Sequence, residues 1–299
     1  MLNYRSKTYS VFSVCNVIFL ILLAAATTFP YLNTLAVALN EGQDSMLGGI
    51  TIYPRKFTFD NFEAIVKNAA MIRAFFLSAA RVVIGTALAL IVQFFCAYAF
   101  ANRNLTGRTP LLVYFMIPMF FSGGLIPTYL LYSKLGLLNH FLVYVLPGAF
   151  AFFNMIIIRT YLYTLPDSLQ ESARIDGAGE FTILFRIIVP LCMPIVATIS
   201  LWMAVGHWND WTTTLQFVTN PDLFVLQYKL MQLIRESDTI AALIRQAIES
   251  GDTNIQQVPT TPEAIRAAQV IVTTIPIILV YPFLQKYFIK GVLIGSVKE

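Results

Sequence analysis

Two stretches of this sequence gather residue types that could do chemistry or recognition. His207-Trp208-Asn209-Asp210-Trp211-Thr212 sets an imidazole, two indoles, an amide, a carboxylate and a hydroxyl in an otherwise apolar run. Polar groups at membrane depth are costly, so they mark a pathway by default. The second stretch, Tyr163–Ile188, is polar and carries Asp167, Gln170, Glu171, Arg174, Asp176, Gly177 and Glu180 between two apolar runs. Its charges suit docking rather than bond breaking, because no nucleophile–base pair stands among them. Elsewhere the usual signatures are missing. The sequence has no HExxH, CxxC or G-x-x-x-x-G-K-[ST], and its two histidines, His140 and His207, lie far apart. Any ATP that drives this protein is therefore bound by another chain. Cys15, Cys96 and Cys192 lie in or beside apolar runs and read as packing residues, without metal or disulfide spacing.

The elements that must position these stretches are membrane helices. Of 299 residues, 57% are hydrophobic and 12% charged, against about a quarter charged in soluble domains. Net charge is +4, but the basic residues sit between apolar runs instead of clustering, which points to membrane-surface loops and away from nucleic acid. Six runs are long enough to cross a hydrocarbon core of about 30 Å as helix: Val11–Leu39, Phe75–Ala101, Leu111–Tyr132, Phe141–Leu162, Val189–Phe217 and Ala267–Phe288. Helix is required because open strands leave backbone groups unpaired in lipid. The first run follows Arg5 and Lys7 and contains Ala24-Ala25-Ala26, as a cleaved signal would, but it continues past the alanines far enough to span. Pro30, Pro118, Pro147, Pro194 and Pro276 predict kinks. The short ends holding Arg103/Arg108 and Lys286/Lys290 favour both termini inside. Residues 40–74 and 220–266 are then long outer segments, the second with a helix expected over Asp238–Glu249 and loop signals at Ser250-Gly251-Asp252 and Pro259–Pro262.

Within 163–188, Asp167 and Gln170 have capping-box spacing, which predicts a helix over Ser168–Ile175. Leu169 and Ala173 share a face, and Glu171 and Arg174 stand at i, i+3. Asp176-Gly177 breaks the helix, since glycine accepts positive φ. A second short helix follows with Phe181, Phe185 and Ile188 as its apolar stripe. The product is a knuckle of two short helices. Physics leaves two readings open: a plug for a partner, or an ordinary surface with a Glu171–Arg174 pair and two interfacial phenylalanines.

The run Glu171-Ser172-Ala173-Arg174-Ile175-Asp176-Gly177-Ala178, followed by Phe185, Ile188, Pro190 and Pro194, resembles the EAA motif of ABC-importer permeases. One departure is Ser172 in place of the motif's first alanine. Ala97-Tyr98-Ala99-Phe100-Ala101, Trp208-Asn209-Asp210 and Phe283–Gly291 resemble the carbohydrate branch, in particular the second subunit of maltose-permease-like systems. The outer segment before the last run resembles the branch importing polysaccharide-derived oligosaccharides, alginate among them. The resemblance implies an all-α integral membrane protein with six transmembrane helices in the type I importer fold: a peripheral first helix (11–39), a permease core (75–288), a cytoplasmic coupling loop (163–188), an extracytoplasmic segment (220–266) and a cytoplasmic tail (289–299). It implies a location in the bacterial cytoplasmic membrane and a non-catalytic chain that binds no cofactor. ATP and Mg would sit in two partner ATPase subunits, beside a homologous permease and an extracytoplasmic sugar-binding protein. The same resemblance makes Leu169, Glu171, Ala173, Asp176, Gly177, Ala178, Phe181 and Phe185 the ATPase contact, and Gly291 and Ser296 a tail contact.

Sugars are held by aromatic faces and planar polar groups, so Trp208, Asn209, Asp210 and Trp211 are substrate-path candidates, with Gln93 and Asn154 beside them. Belt aromatics and interhelical hydrogen bonds explain the same residues structurally. Arg81 either joins the path or snorkels outward. A secondary transporter would need coupled intramembrane charges and repeats, and few deep charges occur beyond Arg81 and Asp210.

Overall fold

A computed structural model describes the backbone of residues 7–236 and 261–296, with side chains of the last helix described to Leu279 and at Pro282. The chain divides into two compact units, Met1–Ala69 with Leu230–Thr274, and Ala70–Lys229 with Ile275–Glu299. The described residues are helical apart from turns and one isolated bridge between Asn40 and Phe57.

In the first unit, α1 (Lys7–Ala38) has no acidic residue in its first turn and no basic residue in its last. Residues 12–30 are exposed along the whole length, Ser13 alone being half-buried. An apolar helix exposed all round is stable only in lipid. From Tyr31 onward α1 is progressively covered. Helices α2 (Gly42–Met46) and α3 (Asp60–Lys67) follow. They are tied to the end of α1 by a buried amide knot. The Asn40 amide nitrogen donates to Asp44 Oδ2 (2.9 Å) and Ser45 Oγ (3.0 Å), and its oxygen accepts from the Lys56 N–H (2.8 Å). Asn61 donates to the carbonyls of Ala38 (3.0 Å) and Asn40 (2.8 Å). Unpaired amides here would cost about 1–3 kcal/mol each.

The second unit is built on α4 (Ala69–Ala101), whose buried stripe Ala74, Ser78, Arg81, Gly85, Ala89, Gln93, Ala97 repeats every three or four residues. Small residues on such a stripe let neighbouring backbones approach closely. Then come α5 (Arg108–Phe120) and α6 (Leu125–Lys134), bent from each other by 115°. Next are α7 (Phe152–Leu162), α8 (Ser168–Ile175), α9 (Glu180–Ile183), a π turn over Leu184–Ile188, and α10 (Val189–Leu191). α11 (Met193–Asn209) and α12 (Thr212–Phe217) complete the unit's helices, and the division between the units falls within α13 (226–236) and α14 (Pro262–Ser296). Phe94, Ala97 and Phe100 of α4 pack with Met155, Ile158 and Leu162 of α7, Ile199 of α11, and Ala173, Ile183, Leu184 and Ile188 of the loop between them.

Helices over Phe12–Ala38 and Ala69–Ala101 are long and apolar enough to cross a membrane unbroken. The third and fifth expected runs are bent pairs, and the fourth is shorter than predicted. The expected span Phe141–Leu162 is a single 3-10 turn over Phe141–Tyr144, an irregular passage through Pro147-Gly148, and an 11-residue α7, about 16 Å long. Proline removes a backbone donor and glycine frees φ, so together they end the helix there. The third run breaks at Gly124, which stands at φ +84°. The helix expected over Asp238–Glu249 and the loop signals at 250–252 and 259–260 lie outside the described residues. Cys15 is exposed on α1 and so does not pack within the chain; Cys192 is buried.

Candidate functional site

The loop 163–188 folds as the knuckle its sequence predicts, with different internal bonds. The helix spans Ser168–Ile175. The Asp167 side chain makes no capping bond. Its carbonyl instead accepts from the N–H groups of Gln170 and Glu171, both at 3.1 Å. The chain reverses at Gly177 (φ +81°), where a Cβ would meet nothing within 4 Å. The Gly177 N–H donates to the Arg174 carbonyl (3.0 Å) and the Ala178 N–H to the Ala173 carbonyl (2.9 Å), closing the helix end.

Arg174 does not pair with Glu171. Its guanidinium binds Glu180 across the bend, Nε to Oε1 at 3.0 Å, and the Tyr98 hydroxyl donates to Glu180 Oε2 at 2.8 Å. The last turn of α4 is thereby tied to both short helices. The reason is geometric: the reversal at Gly177 brings residue 180 back over residue 174. The Arg174 guanidinium holds the Glu180 carboxyl below its ordinary value, with the Tyr98 hydroxyl adding to the effect.

The expected contact residues divide in two. Ala173 is buried in the core and Ala178 half-buried beside it, so they seat the knuckle and do not face outward. Leu169, Glu171, Asp176, Gly177, Phe181 and Phe185 are exposed. Phe181 and Phe185 lie edge-on to Phe95 of α4, with ring centroids 6.4 and 5.9 Å away. Ile175 is 86% exposed on the crest of the knuckle. Sequence reasoning passed over it because it lies off the Leu169/Ala173 face, between Arg174 and Asp176. Tyr98, Asn102, Arg103, Asn104, Glu171 and Arg174 line a polar cleft of about 290 Å³ beside the knuckle.

The corner at 207–212 is a folding device. Helix α11 ends at Asn209. The Asp210 carboxylate then caps α12, with Oδ1 accepting from the N–H groups of Thr212 (2.9 Å) and Thr213 (3.1 Å), and Oδ2 from Thr213 Oγ1 (2.5 Å). Arg81 is buried, so it does not snorkel outward. It forms an ion pair with Asp210, donates to the Asp210 carbonyl (2.8 Å), and sits 4.7 Å over the Tyr144 ring. The Tyr144 hydroxyl donates to the Leu223 carbonyl (2.7 Å) and lies 2.9 Å from Thr214 Oγ1. Trp208 is buried edge-on to Phe75. Asn209 is exposed, Trp211 half-buried, and Asn154 half-buried on α7. Gln93 is buried and donates to the Ala149 carbonyl (3.3 Å). These residues form no single lining. Of them Asp210 borders a cavity of about 270 Å³, beside Arg81, Tyr144, Met203, His207 and Thr213. Gly291 and Ser296 fall in α14, with side chains outside the described residues.

Residues 94–294 match the family model described as the binding-protein-dependent transport system inner membrane component. Protein LplC of Bacillus subtilis is 39% identical, covering 99% of this chain and 97% of that protein. The polygalacturonan/rhamnogalacturonan transport system permease protein YtcP of the same organism is 34% identical, covering 94% and 96%. The arabinooligosaccharides transport system permease protein AraQ of Halalkalibacterium halodurans is 28% identical over 98% of this chain and 99% of its own length. Among solved structures, a chain of a bacterial ABC transporter involved in the import of the acidic polysaccharide alginate superposes with a TM-score of 0.83 at 25% identity, covering 96% of this chain and all of that one.

Proposed function

Because this chain belongs to the family of binding-protein-dependent transport system inner membrane components, we propose that it is a permease subunit of an ATP-driven importer of oligosaccharides, with fragments of acidic polysaccharides as its substrate class. The relatives named for polygalacturonan/rhamnogalacturonan and alginate support that class. The chain works beside a homologous permease, two ATPase subunits that hold ATP and Mg, and an extracytoplasmic sugar-binding protein, with its own termini inside.

The observation that carries the reading is the knuckle. Its inner residues Ala173, Ile183, Leu184 and Ile188 are packed into the same core as α4, α7 and α11, while Leu169, Ile175 and Asp176 face out. A push on the exposed crest therefore reaches three helices through close-packed side chains, which shift between discrete arrangements more readily than they deform. That supports alternating access driven by ATPase closure against Leu169, Glu171, Ile175, Asp176 and Gly177. Phe181 and Phe185 brace the knuckle on α4 through Phe95. Gly291 and Ser296 on α14 serve as the second ATPase contact. In the substrate path, the cavity bordered by His207, Tyr144 and Thr213 replaces the Trp208 face, which is spent on packing.

Reconstitution with the partner subunits in proteoliposomes tests this. ATP-dependent uptake of oligogalacturonate or oligoalginate delivered by the binding protein is the expected result. Uptake that persists without ATP and collapses with the ion gradient would make the chain a secondary transporter instead.

A further inference from the structure

The turn that follows α1 in the first unit doubles back along the helix. Residues 12–30 of α1 are exposed apart from half-buried Ser13, on a helix long and apolar enough to cross a membrane. Those 19 residues measure about 28 Å at the helical rise, close to the roughly 30 Å of a hydrocarbon core. Asn33 therefore lies at the boundary, and Leu39 about 9 Å beyond it. The chain climbs to Asn40 and then returns. The Asn33 amide nitrogen donates to the carbonyls of Ile50 and Thr51, both at 2.8 Å. The chain rises again to pair with the end of α1, where the Thr58 N–H donates to the Leu39 carbonyl (2.9 Å) and the Lys56 carbonyl accepts from Glu41 (2.9 Å). The low point of this excursion is the segment beside Asn33. Gly48 and Gly49, at φ +68° and +72°, make the descent. Next to that point stand Ile52 (44% exposed) and Tyr53 (77%).

We propose that residues 50–53 form an interfacial anchor that inserts Ile52 and Tyr53 among the lipid headgroups and upper acyl chains of the leaflet where α1 ends. Three observations select lipid as the occupant. The surface continues directly from the lipid-facing length of α1, two hydrogen bonds fix it at the hydrocarbon boundary, and tyrosine is a residue type enriched at that depth. The amide knot at Asn40 and Asn61 holds the turn rigidly, so the anchor also sets how deep α1 sits.

The test uses the assembled transporter in nanodiscs with a nitroxide attached at Tyr53→Cys or, separately, Ile52→Cys. Exposed Cys15 is replaced by Ala, and signal from the parent protein is subtracted. Phe19→Cys on α1 serves as the lipid reference and Asp60→Cys, beside the outer end of α1, as the water reference. The expected result is an oxygen-to-nickel-chelate accessibility ratio at 52 and 53 several-fold above that at 60 and approaching that at 19. A ratio equal to that at 60 overturns the anchor. Overturning it equally, protection from both reagents only after adding loaded binding protein would make the turn a protein-docking surface. A water-like ratio at Phe19 would refute α1 as a span together with the anchor, leaving the importer assignment to uptake assays.

Discussion

At the scale of single residues, two charged clusters have opposite energetics. Arg174–Glu180 is exposed, so the pair itself is worth about 1 kcal/mol or less. Its value is positional, because with Tyr98 it fixes the angle between α8 and α9 against α4. The Glu180 carboxyl is held low, so its stabilising contribution is complete above the ordinary carboxylate range and is lost as pH falls through the lowered folded value. Thermal unfolding of the complex between about pH 3 and about pH 7 should show an acid-side loss that is shallower in Glu180→Gln. Arg81–Asp210 is the reverse case. Arg81 is buried, and removing one partner of such a pair costs about 3–5 kcal/mol. Arg81→Leu and Asp210→Leu should each lower the yield of monodisperse protein sharply, and the double variant should recover part of it. Equal, additive losses in size-exclusion profiles would count against the pair. The sequence showed Asp210 as polar and deep, yet could not show that its carboxylate is consumed by Arg81, 129 residues away, and by the start of α12.

At the scale of elements, α4 and α11 approach closely within the second unit. A Cβ at Gly85 would lie 2.6 Å from His207 Nε2. Gly85→Ala should therefore cost about 1–3 kcal/mol through overpacking, read as a lower midpoint in thermal unfolding, and His207→Ala should relieve it. The bounds of α8 were legible from Leu169, Ala173 and Asp176-Gly177, because a short amphipathic helix and a glycine stop are local signals. The Arg174 partner was not, because Glu171 and Glu180 have equal claims until Gly177 sets the direction of return. The third and fourth membrane runs were legible as apolar but not as broken. Hydropathy counts side chains, whereas Gly124 and Pro147-Gly148 act on the backbone.

At the scale of the whole molecule, the chain carries exposed apolar surface that it cannot bury alone. Much of that surface lies on α1 and suits lipid. Around Tyr163 the rings and cations Arg103, Arg108 and Arg159 gather, with guanidinium carbons 5.9, 5.8 and 4.9 Å from the ring centroid. The proposed topology puts this positive cluster on the inner face, at the same end as the knuckle. The most direct test of the account is ATPase activity of the reconstituted complex, with and without loaded binding protein, for the native chain and Gly177→Asp. Asp tolerates positive φ better than most residues and its Cβ would meet nothing within 4 Å, so the variant should stay folded, with an unfolding temperature lowered only by the backbone strain at φ +81°. The account predicts stimulation several-fold by loaded binding protein in the native complex, and loss of that stimulation, or of the ATPase subunits themselves, in Gly177→Asp. Full stimulation and uptake in the variant would contradict the claim that the knuckle couples ATP hydrolysis to transport.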